Sequence, residues 1–473
     1  MRNLTMMTDL YQLTMMDGYF IQGKAKETAV FDVFFRQKDT INYAVFAGLD
    51  QAIDYINDLH FSNDDISYLS SLNIFHKEFL DYLRDFKFTG EMYSVAEGDI
   101  VYPQEPIVII KAPLIEAQLI ETALLNIISH QTLIATKSAR IVSAAKGKGV
   151  VEFGLRRAQG PDAGIYGARA AIIGGCNGTS NVLTGQMFDI PVKGTHAHSW
   201  VMSFDSELDA FRAFADVYPD TCLLLVDTYD TIQGIKNAIT VFNELKSRGH
   251  KPVGIRLDSG DLAYLSKVAR KMLDEAGFRD AIIMASGDID EYLLQSLDSQ
   301  GAKIDMYGVG TKLITSEDTP SLGGVYKLSA IEKNGKLLPR MKISDTLIKV
   351  TNPGFKTLYR LYDKHGMAVA DLIALKDEKI NKPLVLTHET ERWKTTTLDD
   401  YEIRRMLNKI FDGGKCVYVK PALADIVKFS AAEKARFWDE YKRIDNPQIY
   451  KVNISDGLYA LKHKILQEHN NKK

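Results

Sequence analysis

Charged and small polar residues end or follow several short apolar runs in the middle of the chain. These runs have the length and β-branched content of buried strands. The residues at their ends include Phe153, Arg156, His196, His198, Asp227, Arg256, Asp258, Ser286, Gly287, Asp288, Gly310 and Thr311. Parallel sheets hold their ligands at the carboxyl ends of the strands, so we expect these residues to share one site.

Two neighbouring strand ends consist of small residues that suit a phosphate group. Ser286, Gly287 and Asp288 follow one run, and residues 308–311 (Gly-Val-Gly-Thr) follow the next. In TIM-like barrels, the backbone N–H groups of such loops commonly bind a phosphate. Each tripeptide alone is weak evidence, but together they indicate a phosphate monoester site. A Walker-type loop and an early Gly-x-Gly-x-x-Gly are both missing, which argues against NTPase and dinucleotide folds.

Carboxylates lie beside an arginine at two further strand ends. Asp227 and Asp258 could hold Mg²⁺ through water or stabilise a developing cation, and Arg256 could clamp a carboxylate. For any single residue, an internal ion pair is an equally good explanation. Three aspartates that precede predicted helices could also be N-caps: Asp230, Asp261 and Asp288.

The two histidines of the central segment are separated by one residue. Because His196 and His198 flank Ala197 in a strand-like context, we predict that their side chains face opposite ways. At most one is then catalytic, and the other packs or is exposed. A metal role is less favoured, because no third His or Cys lies nearby.

The elements that must position these residues are strands alternating with helices. This alternation predicts an α/β fold with a parallel sheet, and an irregular TIM-like (β/α) barrel fits best. We predict an N-terminal α+β domain at residues 1–135, the barrel at 136–345 and a mostly helical or α+β C-terminal domain at 346–473. Charged amphipathic patterns predict three helices in the last domain, at residues 399–410, 431–443 and 457–469.

Composition narrows the class of protein. The net charge of −3 argues against nucleic-acid or anionic-membrane binding, and three scattered cysteines without metal spacing favour a reducing cytosol. The N-terminus lacks a signal-peptide pattern, and the longest apolar stretch, at residues 113–135, is interrupted by charges. We therefore predict a cytoplasmic protein that binds neither nucleic acid nor membrane.

Nine ordered motifs resemble the nicotinate phosphoribosyltransferase family. They extend from the first helix to about residue 356 and read TDLYQLT, VEFGLRRAQGP, NGTSNVLTG, GTHAHSWV, VDTYDT, GIRLDSGDL, ASGDIDEY, YGVGTKLIT and GGVYKL. The resemblance implies that nicotinate and 5-phosphoribosyl 1-pyrophosphate (PRPP) give nicotinate mononucleotide and pyrophosphate in NAD salvage. It also implies a requirement for Mg²⁺, coupled ATP hydrolysis through a phosphohistidine, and a homodimer.

The resemblance also implies roles for single residues around the base. His198 is the phosphohistidine by position, with Asp227 orienting it. Phe153 stacks on the pyridine ring, Tyr11 of the partner subunit covers the opposite face, and Arg156 meets the ring carboxylate.

Further roles concern the ribose and the phosphates. The family pattern places Asp258 near the ribose and near Mg²⁺, through water, with Arg256 beside it. Arg36 and Lys342 reach the pyrophosphate from the other subunit. The 5-phosphate is held by Gly287, Asp288, Gly310 and Thr311.

One position separates two related substrates. After the Gly-Thr at Gly178 and Thr179, the related nicotinamide enzyme carries Asp, which accepts a hydrogen bond from the amide. Here Ser180 follows, and its hydroxyl can donate to a carboxylate that Asp would repel. Thr179 and Ser180 are thus expected to contact the base, and nicotinate is favoured.

Several alternatives stay open at this point. The first is nicotinamide phosphoribosyl transfer, and a quinolinate enzyme ranks below it. A non-catalytic binder of ribose phosphates would keep the phosphate loops and leave His198 idle. An aldolase or isomerase would need a reactive strand-end Lys or Glu, and Glu152 is the only strand-end glutamate found. A type I phosphoribosyltransferase lacks support, because its Thr-Gly-Gly-Thr loop is missing.

Overall fold

The computed structural model describes residues 3–37, 41–344 and 350–471. The chain divides into two compact units, the first formed by Met1–Leu133 with Ser321–Lys473 and the second by Ile134–Pro320. The three predicted domain ranges stay a prediction, and the boundary between residues 345 and 346 lies outside the described residues. No helix in the described ranges is long and apolar enough to cross a membrane.

The N-terminal part of the chain mixes helices with short strands. Buried apolar residues of β1, such as Val30, Val33 and Phe35, belong to the main core of the first unit. The elements, in chain order, are α1 (Leu10–Ile21), β1 (Thr28–Phe35), β2 (Ala44–Val45), α2 (Leu49–Asn57), α3 (Asn63–Ser71), α4 (Lys77–Leu83), β3 (Glu91–Ser94), β4 (Ile100–Val101), β5 (Val108–Pro113), α5 (Leu114–Leu119) and α6 (Glu121–Ala144).

The second unit contains the predicted alternation of strands and helices. Its elements are β6 (Gly149–Glu152), a 3-10 turn (Leu155–Arg157), α7 (Pro161–Ile173), α8 (Val182–Phe188), α9 (His198–Met202), α10 (Glu207–Val217), β7 (Leu223–Leu225), α11 (Thr231–Ser247), β8 (Gly254–Leu257), α12 (Leu262–Glu275), β9 (Ile282–Gly287), α13 (Glu291–Ser299), β10 (Met306–Val309) and α14 (Thr311–Ile314). Asp230 and Asp261 cap α11 and α12 as expected, each accepting a backbone hydrogen bond.

The strands of the second unit form a parallel sheet in the order β6-β10-β9-β8-β7, which confirms the predicted sheet type. Beyond β6, isolated parallel bridges join Glu152 to Thr179 and Thr179 to Val192. The chain then reaches the opposite edge, where the Thr195 hydroxyl donates to the carbonyl of Leu223 on β7. The described residues show a mixed α/β fold and no closed ladder of strands.

The C-terminal part of the chain is richer in strands than the sequence predicts. Its elements are β11 (Gly324–Lys333), β12 (Lys336–Pro339), β13 (Lys356–Tyr362), β14 (Ala368–Leu375), β15 (Leu384–Thr387), β16 (Thr395–Leu398), β17 (Glu402–Arg405), β18 (Asn408–Asp412), β19 (Lys415–Cys416), α15 (Leu423–Ala435), α16 (Asp439–Lys442), β20 (Val452–Ile454) and α17 (Asp456–Asn470).

The first unit holds two larger sheets. One is antiparallel, in the order β12-β11-β1-β5-β3-β18-β19, and the other has the order β17-β13-β14-β20, with β20 parallel to β14. In the first sheet, Asp32 of β1 is buried and pairs with Lys356 at 2.8 Å. Burial raises the pKa of Asp32, although Lys356 opposes this effect. A buried carboxylate on an apolar strand needs such a partner.

Of the two characters predicted for the C-terminal domain, mostly helical or α+β, the mostly helical one is wrong, because strands and helices both occur there. Residues 399–410, predicted as a helix, contain β17 and the start of β18. Met406, Leu407 and Ile410 recur at helical spacing, but they lie between or within β17 and β18 and are buried in the core of the first unit, so tertiary packing overrides the local pattern. The range 431–443 extends over the end of α15 and over α16, whereas 457–469 is confirmed as α17.

Candidate active site

A cleft of about 580 Å³ opens at the carboxyl ends of the parallel strands in the second unit. Its wall includes the residues that follow β6, β8, β9 and β10, which are the strand ends singled out in the sequence. The predicted site residues that line it are Phe153, Arg156, Ser180, Arg256, Asp258, Gly287, Asp288, Gly310 and Thr311. A cavity of about 570 Å³ in the first unit is lined by other residues.

An aromatic ring forms part of the cleft wall next to β6. The backbone N–H of Phe153 donates to the carbonyl of Val309 on β10 at 2.8 Å, which continues the pairing of β6 with β10. The ring lies over Gly308, where a Cβ atom would stand only 2.6 Å from a ring carbon. Glycine at position 308 therefore lets the Phe153 ring lie against the sheet, half-buried, with one face available for a planar ligand.

Two arginines follow this ring on the 3-10 turn. The side chains of Arg156 and Arg157 are exposed, and both line the cleft. Glu152 stabilises the start of this turn. Its buried carboxylate accepts hydrogen bonds from the N–H of Gly154 and from the Thr179 hydroxyl. Burial raises the pKa of Glu152. Glu152 is thus engaged in the turn, away from the role that an aldolase or isomerase would require.

Thr179 and Ser180 have different positions. Thr179 is fully buried, and its hydroxyl donates to Glu152 at 2.6 Å, so the structure does not bring it to the cleft. Ser180 lines the cleft, with its N–H donating to the carbonyl of Glu152 at 2.9 Å. The next residue, Asn181, caps α8, which fixes the backbone on the other side of Ser180.

Arg256 and Asp258 lie at the end of β8. Asp258 accepts a hydrogen bond from the hydroxyl of Ser286, and its Oδ1 lies 4.0 Å from Nη2 of Arg256. Burial lowers the pKa of Arg256, and its Nε is buried without a hydrogen-bond partner in the described part of the chain. The guanidinium is therefore desolvated without a close carboxylate that would compensate for the loss of water.

Asp227 supports the same strand end from the neighbouring strand. Its Oδ2 accepts hydrogen bonds from the N–H of Asp258 at 2.8 Å and from the Ser259 hydroxyl at 2.7 Å. Oδ1 is buried and has no hydrogen-bond partner among the described residues. The structure places the hydroxyl of Thr228, rather than Asp227, beside Nδ1 of His198, at 3.1 Å.

The two histidines differ in burial and in bonding. His198 is the first residue of α9, so the expected strand-like context is wrong; its side chain is 40% exposed, with Nε2 3.9 Å from Oδ2 of Asp258. His196 is only 7% exposed, and its Nε2 accepts the N–H of Leu225 on β7 at 3.2 Å. Burial lowers the pKa of His196 to about 4. His196 thus contributes to the cleft wall as a neutral side chain that fixes the segment to β7.

The two small-residue loops are neighbours, because β9 and β10 pair in parallel with Gly287 opposite Val309. Gly287 has a φ of +121°, which favours glycine. Asp290, and not the expected Asp288, caps α13 by accepting the N–H of Leu293. Asp288 lies two residues before this N-cap position and instead lines the cleft.

Three predicted site residues belong to the first unit. Tyr11 lies on α1 and is 48% exposed, and burial of its remainder raises its pKa. Arg36 follows β1, and Lys342 is anchored through its N–H to the Thr351 hydroxyl at 3.1 Å. Both cations repel the ammonium group of Lys327 on β11. Burial lowers the pKa of Lys327, and the charges of Arg36 and Lys342 lower it further.

Lys327 is a cation that the sequence interpretation did not single out, although it belongs to the GGVYKL motif. In the sequence, Lys327 is one residue of a predicted strand. Its proximity to Arg36 is not visible there, because Arg36 is almost three hundred residues away. The pairing of β1 with β11 brings the two close, with Asp32 opposite Lys327.

The donor set of the cleft was compared with the requirements of Mg²⁺. The described residues contain no group of three or more His, Cys, Asp or Glu side chains that could hold a metal ion. Asp258 and the unpartnered Oδ1 of Asp227 nevertheless supply hard oxygen atoms on two residues that a backbone hydrogen bond connects. This set fits Mg²⁺, which commonly binds one or two carboxylates and takes its other ligands from water and substrate phosphates.

Comparison with known families covers most of the chain. Residues 6–129 match the nicotinate phosphoribosyltransferase N-terminal domain, residues 149–366 the nicotinate phosphoribosyltransferase family, and residues 355–462 the nicotinate phosphoribosyltransferase C-terminal domain. Along the chain, the N-terminal domain match comes first, the family match second and the C-terminal domain match last.

Individual proteins agree with these matches. The chain is 47% identical to nicotinate phosphoribosyltransferase of Bacillus subtilis, over 98% of this chain and 96% of that protein. The crystal structure of human nicotinic acid phosphoribosyltransferase superposes with a TM-score of 0.87 at 29% identity, covering 97% of this chain and 99% of the human one. Nicotinate-nucleotide pyrophosphorylase of Pyrococcus furiosus shares the fold, with a TM-score of 0.71 at 21% identity and coverage of 92% and 96%. The chain belongs to the nicotinate phosphoribosyltransferase family.

Proposed function

We propose that the chain transfers a phosphoribosyl group from PRPP to nicotinate, forming nicotinate mononucleotide and pyrophosphate in NAD salvage. The observation that carries this proposal is the content of one cleft: an aromatic face, two exposed arginines, a largely shielded guanidinium whose buried Nε has no hydrogen-bond partner among the described residues, and two small-residue loops. A planar carboxylate and a sugar phosphate are the groups that such a set recognises.

Phe153 and Arg156 bind the base in this proposal. The pyridine ring stacks on the half-buried face of Phe153, and its carboxylate pairs with Arg156, three residues further along the same turn. Ser180 lies on the wall of the same cleft and offers a neutral hydroxyl to the carboxylate. This neutral side chain supports nicotinate over nicotinamide, since the corresponding Asp of the nicotinamide enzyme would repel a carboxylate.

The sugar lies over Asp258 and Arg256, with its 5-phosphate at Gly287, Asp288, Gly310 and Thr311. The bond between C1 and the pyrophosphate oxygen breaks as the bond from the pyridine nitrogen forms. This nitrogen is already a nucleophile, so the reaction requires no strong base. Asp258 stabilises positive charge near C1, and the guanidinium of Arg256, 4.0 Å from Asp258, would stabilise the departing anion.

Asp258 and Asp227 would hold Mg²⁺ together with the substrate. The ion would neutralise charge on the pyrophosphate, while Asp227 also keeps the end of β8 in place through the N–H of Asp258.

The ATP-coupling part of the proposal rests on His198. It is the half-exposed histidine, with Thr228 at Nδ1, whereas the ring of His196 is buried and bonded to Leu225. A ring nitrogen of His198 attacks the γ-phosphorus of ATP, ADP leaves, and the phosphoryl group later passes to water. We expect His198→Ala to abolish stimulation by ATP and to leave a slower ATP-independent transfer. Unchanged ATP stimulation would contradict this assignment.

A homodimer is the assembly that we propose, with Tyr11 and Arg36 acting across the interface. The exposed apolar residues of α1, Leu10, Tyr11 and Met15, support this, as does the buried Nε of Arg36 without a hydrogen-bond partner among the described residues. Lys342 and Lys327 stand near Arg36 and would add positive charge for the pyrophosphate. Gel filtration of the active enzyme tests this assembly, and a strictly monomeric active form would contradict it.

We also propose that the parallel sheet forms an irregular barrel. The support lies in residues 192–196, which bridge to Thr179 at one edge and bond to β7 at the other.

The reaction itself is tested by incubating the purified chain with nicotinate, PRPP, Mg²⁺ and ATP and separating the products by chromatography. Nicotinate mononucleotide with an equal amount of pyrophosphate is the expected result. If the chain binds PRPP but forms neither product, it is a non-catalytic binder of ribose phosphates.

A further inference from the structure

Three buried charged residues, Lys137, Arg140 and Glu291, and the partly exposed Asp318 form an ion network next to the two small-residue loops of the second unit. Lys137 of α6 is only 4% exposed, and its ammonium contacts Glu291 at 2.8 Å and Asp318 at 2.7 Å. Arg140, one helical turn further on α6, donates from Nε to the same glutamate at 2.8 Å. Glu291 is fully buried. The two cations and two anions balance in charge.

The two carboxylates belong to the segments that continue from the two small-residue loops of the cleft. Glu291 is the first residue of α13, three residues after Asp288. Asp318 follows α14, which begins at Thr311 directly after Gly310. A single ammonium group therefore joins the segment that follows β9 to the segment that follows β10.

After α14 the chain forms a tight turn that carries Asp318. Ser316 is buried and has a φ of +45°, a left-handed conformation that a residue with a side chain rarely adopts. The turn also contains hydrogen bonds from the N–H of Ser316 to Leu313 and from the N–H of Thr319 to Ser316. Asp318 lies within this turn, and its carboxylate contacts Lys137. Although burial alone would raise it, the pKa of Asp318 is lowered by Lys137.

We propose that Lys137 is a positioning residue that sets the spacing between the two loops expected to bind the 5-phosphate of PRPP. It lies outside the cleft wall and acts through Glu291 and Asp318. This inference rests on the proposed function. A phosphate held by N–H groups from two loops requires a fixed distance between them, and a buried ion network with two discrete contacts supplies it.

The expected effect is on substrate binding more than on turnover. With Lys137→Met, the methylene stem is retained and the link between the loops is lost. The KM for PRPP should rise about tenfold while kcat and the KM for nicotinate change little, because a misplaced loop mainly weakens phosphate binding. Lys137→Arg keeps the charge and can bind both carboxylates, so it should restore most of the affinity.

A second variant covers the case in which Lys137→Met fails to fold. Asp318 is about one-third exposed, so Asp318→Asn should fold while cutting the link to the β10 loop alone. We expect a smaller rise in the KM for PRPP, of about threefold. Ribose 5-phosphate is the probe for direct binding by calorimetry, and its affinity should fall in parallel.

The matched control is Lys146→Met. Lys146 pairs with Asp298 of α13 at 2.6 Å, but this pair is exposed and lies at the far end of that helix from the loops. Its loss should leave the KM for PRPP unchanged. Wild-type activity with an unaltered PRPP KM in both Lys137→Met and Asp318→Asn would overturn the inference and leave the proposed reaction intact. Wild-type protein that forms no nicotinate mononucleotide would instead contradict the proposed function.

Discussion

Buried positive charge is handled differently in the two units. In the first unit, Arg360 of β13 is fully buried and donates two hydrogen bonds to Asp371 of β14, at 2.9 and 2.6 Å. In the cleft of the second unit, Arg256 is also largely shielded from water, but its ion-pair distance to Asp258 is 4.0 Å. Only the first of these two guanidinium groups has a carboxylate within hydrogen-bond distance in the described structure.

The residues around Arg360 and around Arg256 also differ in how completely their polar atoms are hydrogen-bonded. Around Arg360, the Tyr450 hydroxyl donates to Asp371 at 2.9 Å, and Arg404 binds Asp99 and Glu433 at 2.6 and 2.9 Å. At the ends of β8 and β7, Nε of Arg256 and Oδ1 of Asp227 are buried without hydrogen-bond partners among the described residues. Nη1 of Arg360 also lacks a hydrogen-bond partner among the described residues, but Oδ1 of Asp99 lies 3.6 Å from it. The two sites therefore differ in how closely carboxylates surround the guanidinium: close pairing stabilises a fold, whereas a weakly compensated buried charge is typical of a ligand site.

The largest expected effect is the loss of folding stability when the paired arginine is removed. Arg360→Met leaves Asp371 buried without its bidentate partner, and we expect the free energy of unfolding to fall by about 3–5 kcal/mol. Urea unfolding followed by circular dichroism measures this. Lys428→Met, which removes an exposed pair with Asp425, is the control and should change nothing measurable. A small effect of Arg360→Met would show that the first unit does not depend on its ion network.

The opposite result is expected for the arginine of the cleft. Arg256→Met relieves a desolvated cation, so stability should be retained, while kcat/KM for PRPP should fall about 10²–10³-fold through loss of charge stabilisation. Steady-state kinetics and urea unfolding on the same preparation test both parts. Lower stability with unaltered kinetics would place Arg256 in the same class as Arg360.

The buried histidine predicts a loss of stability in acid. The pKa of His196 is about 4 in the folded chain, below its ordinary value of 6.5, so the unfolded chain binds the proton more readily. Stability is full above pH 6.5 and falls between pH 6.5 and 4, by about 2 kcal/mol at pH 5. His196→Gln keeps an acceptor for the N–H of Leu225 and lacks this titration. An identical acid dependence in wild type and variant would contradict the prediction.

The smallest expected effect is on the preference for nicotinate over nicotinamide as the substrate. Ser180→Asp introduces a carboxylate next to the expected position of the ring carboxylate. We expect the ratio of nicotinamide to nicotinate use to rise about tenfold, because repulsion weakens nicotinate and the amide gains an acceptor. Ser180→Asn is the control, because Asn has the shape of Asp but no charge. Equal ratios in wild type and in Ser180→Asp would exclude Ser180 from base selection.

The sequence predicts the second unit far better than the first. The apolar runs at β6 to β10 and the caps Asp230 and Asp261 are local features, and each follows from a few neighbouring residues. The sheet of the first unit pairs β1 with β11, almost three hundred residues apart, and no local pattern indicates such a partner. The strands β17 and β18 were missed for the same reason.

The site shows a similar division. Strand ends identify Phe153, Arg256 and Asp258, because parallel strands deliver their ends to one edge. The bonding of each side chain depends on packing between distant elements, so Thr228 beside His198 could not be foreseen. Lys137 and Arg140 did leave a signal, since two cations one turn apart interrupt an apolar helix, but their partners belong to other elements.

The exposed and weakly compensated charges of the cleft are proposed to bind a pyridine carboxylate and a phosphoribosyl donor. The most direct measurement is product formation by the wild-type chain with PRPP and Mg²⁺, supplied with nicotinate, nicotinamide or quinolinate in turn, with and without ATP. We predict mononucleotide from nicotinate alone, in an amount that ATP increases. Product from nicotinamide at a comparable rate, or no product from any of the three bases, would contradict the claim.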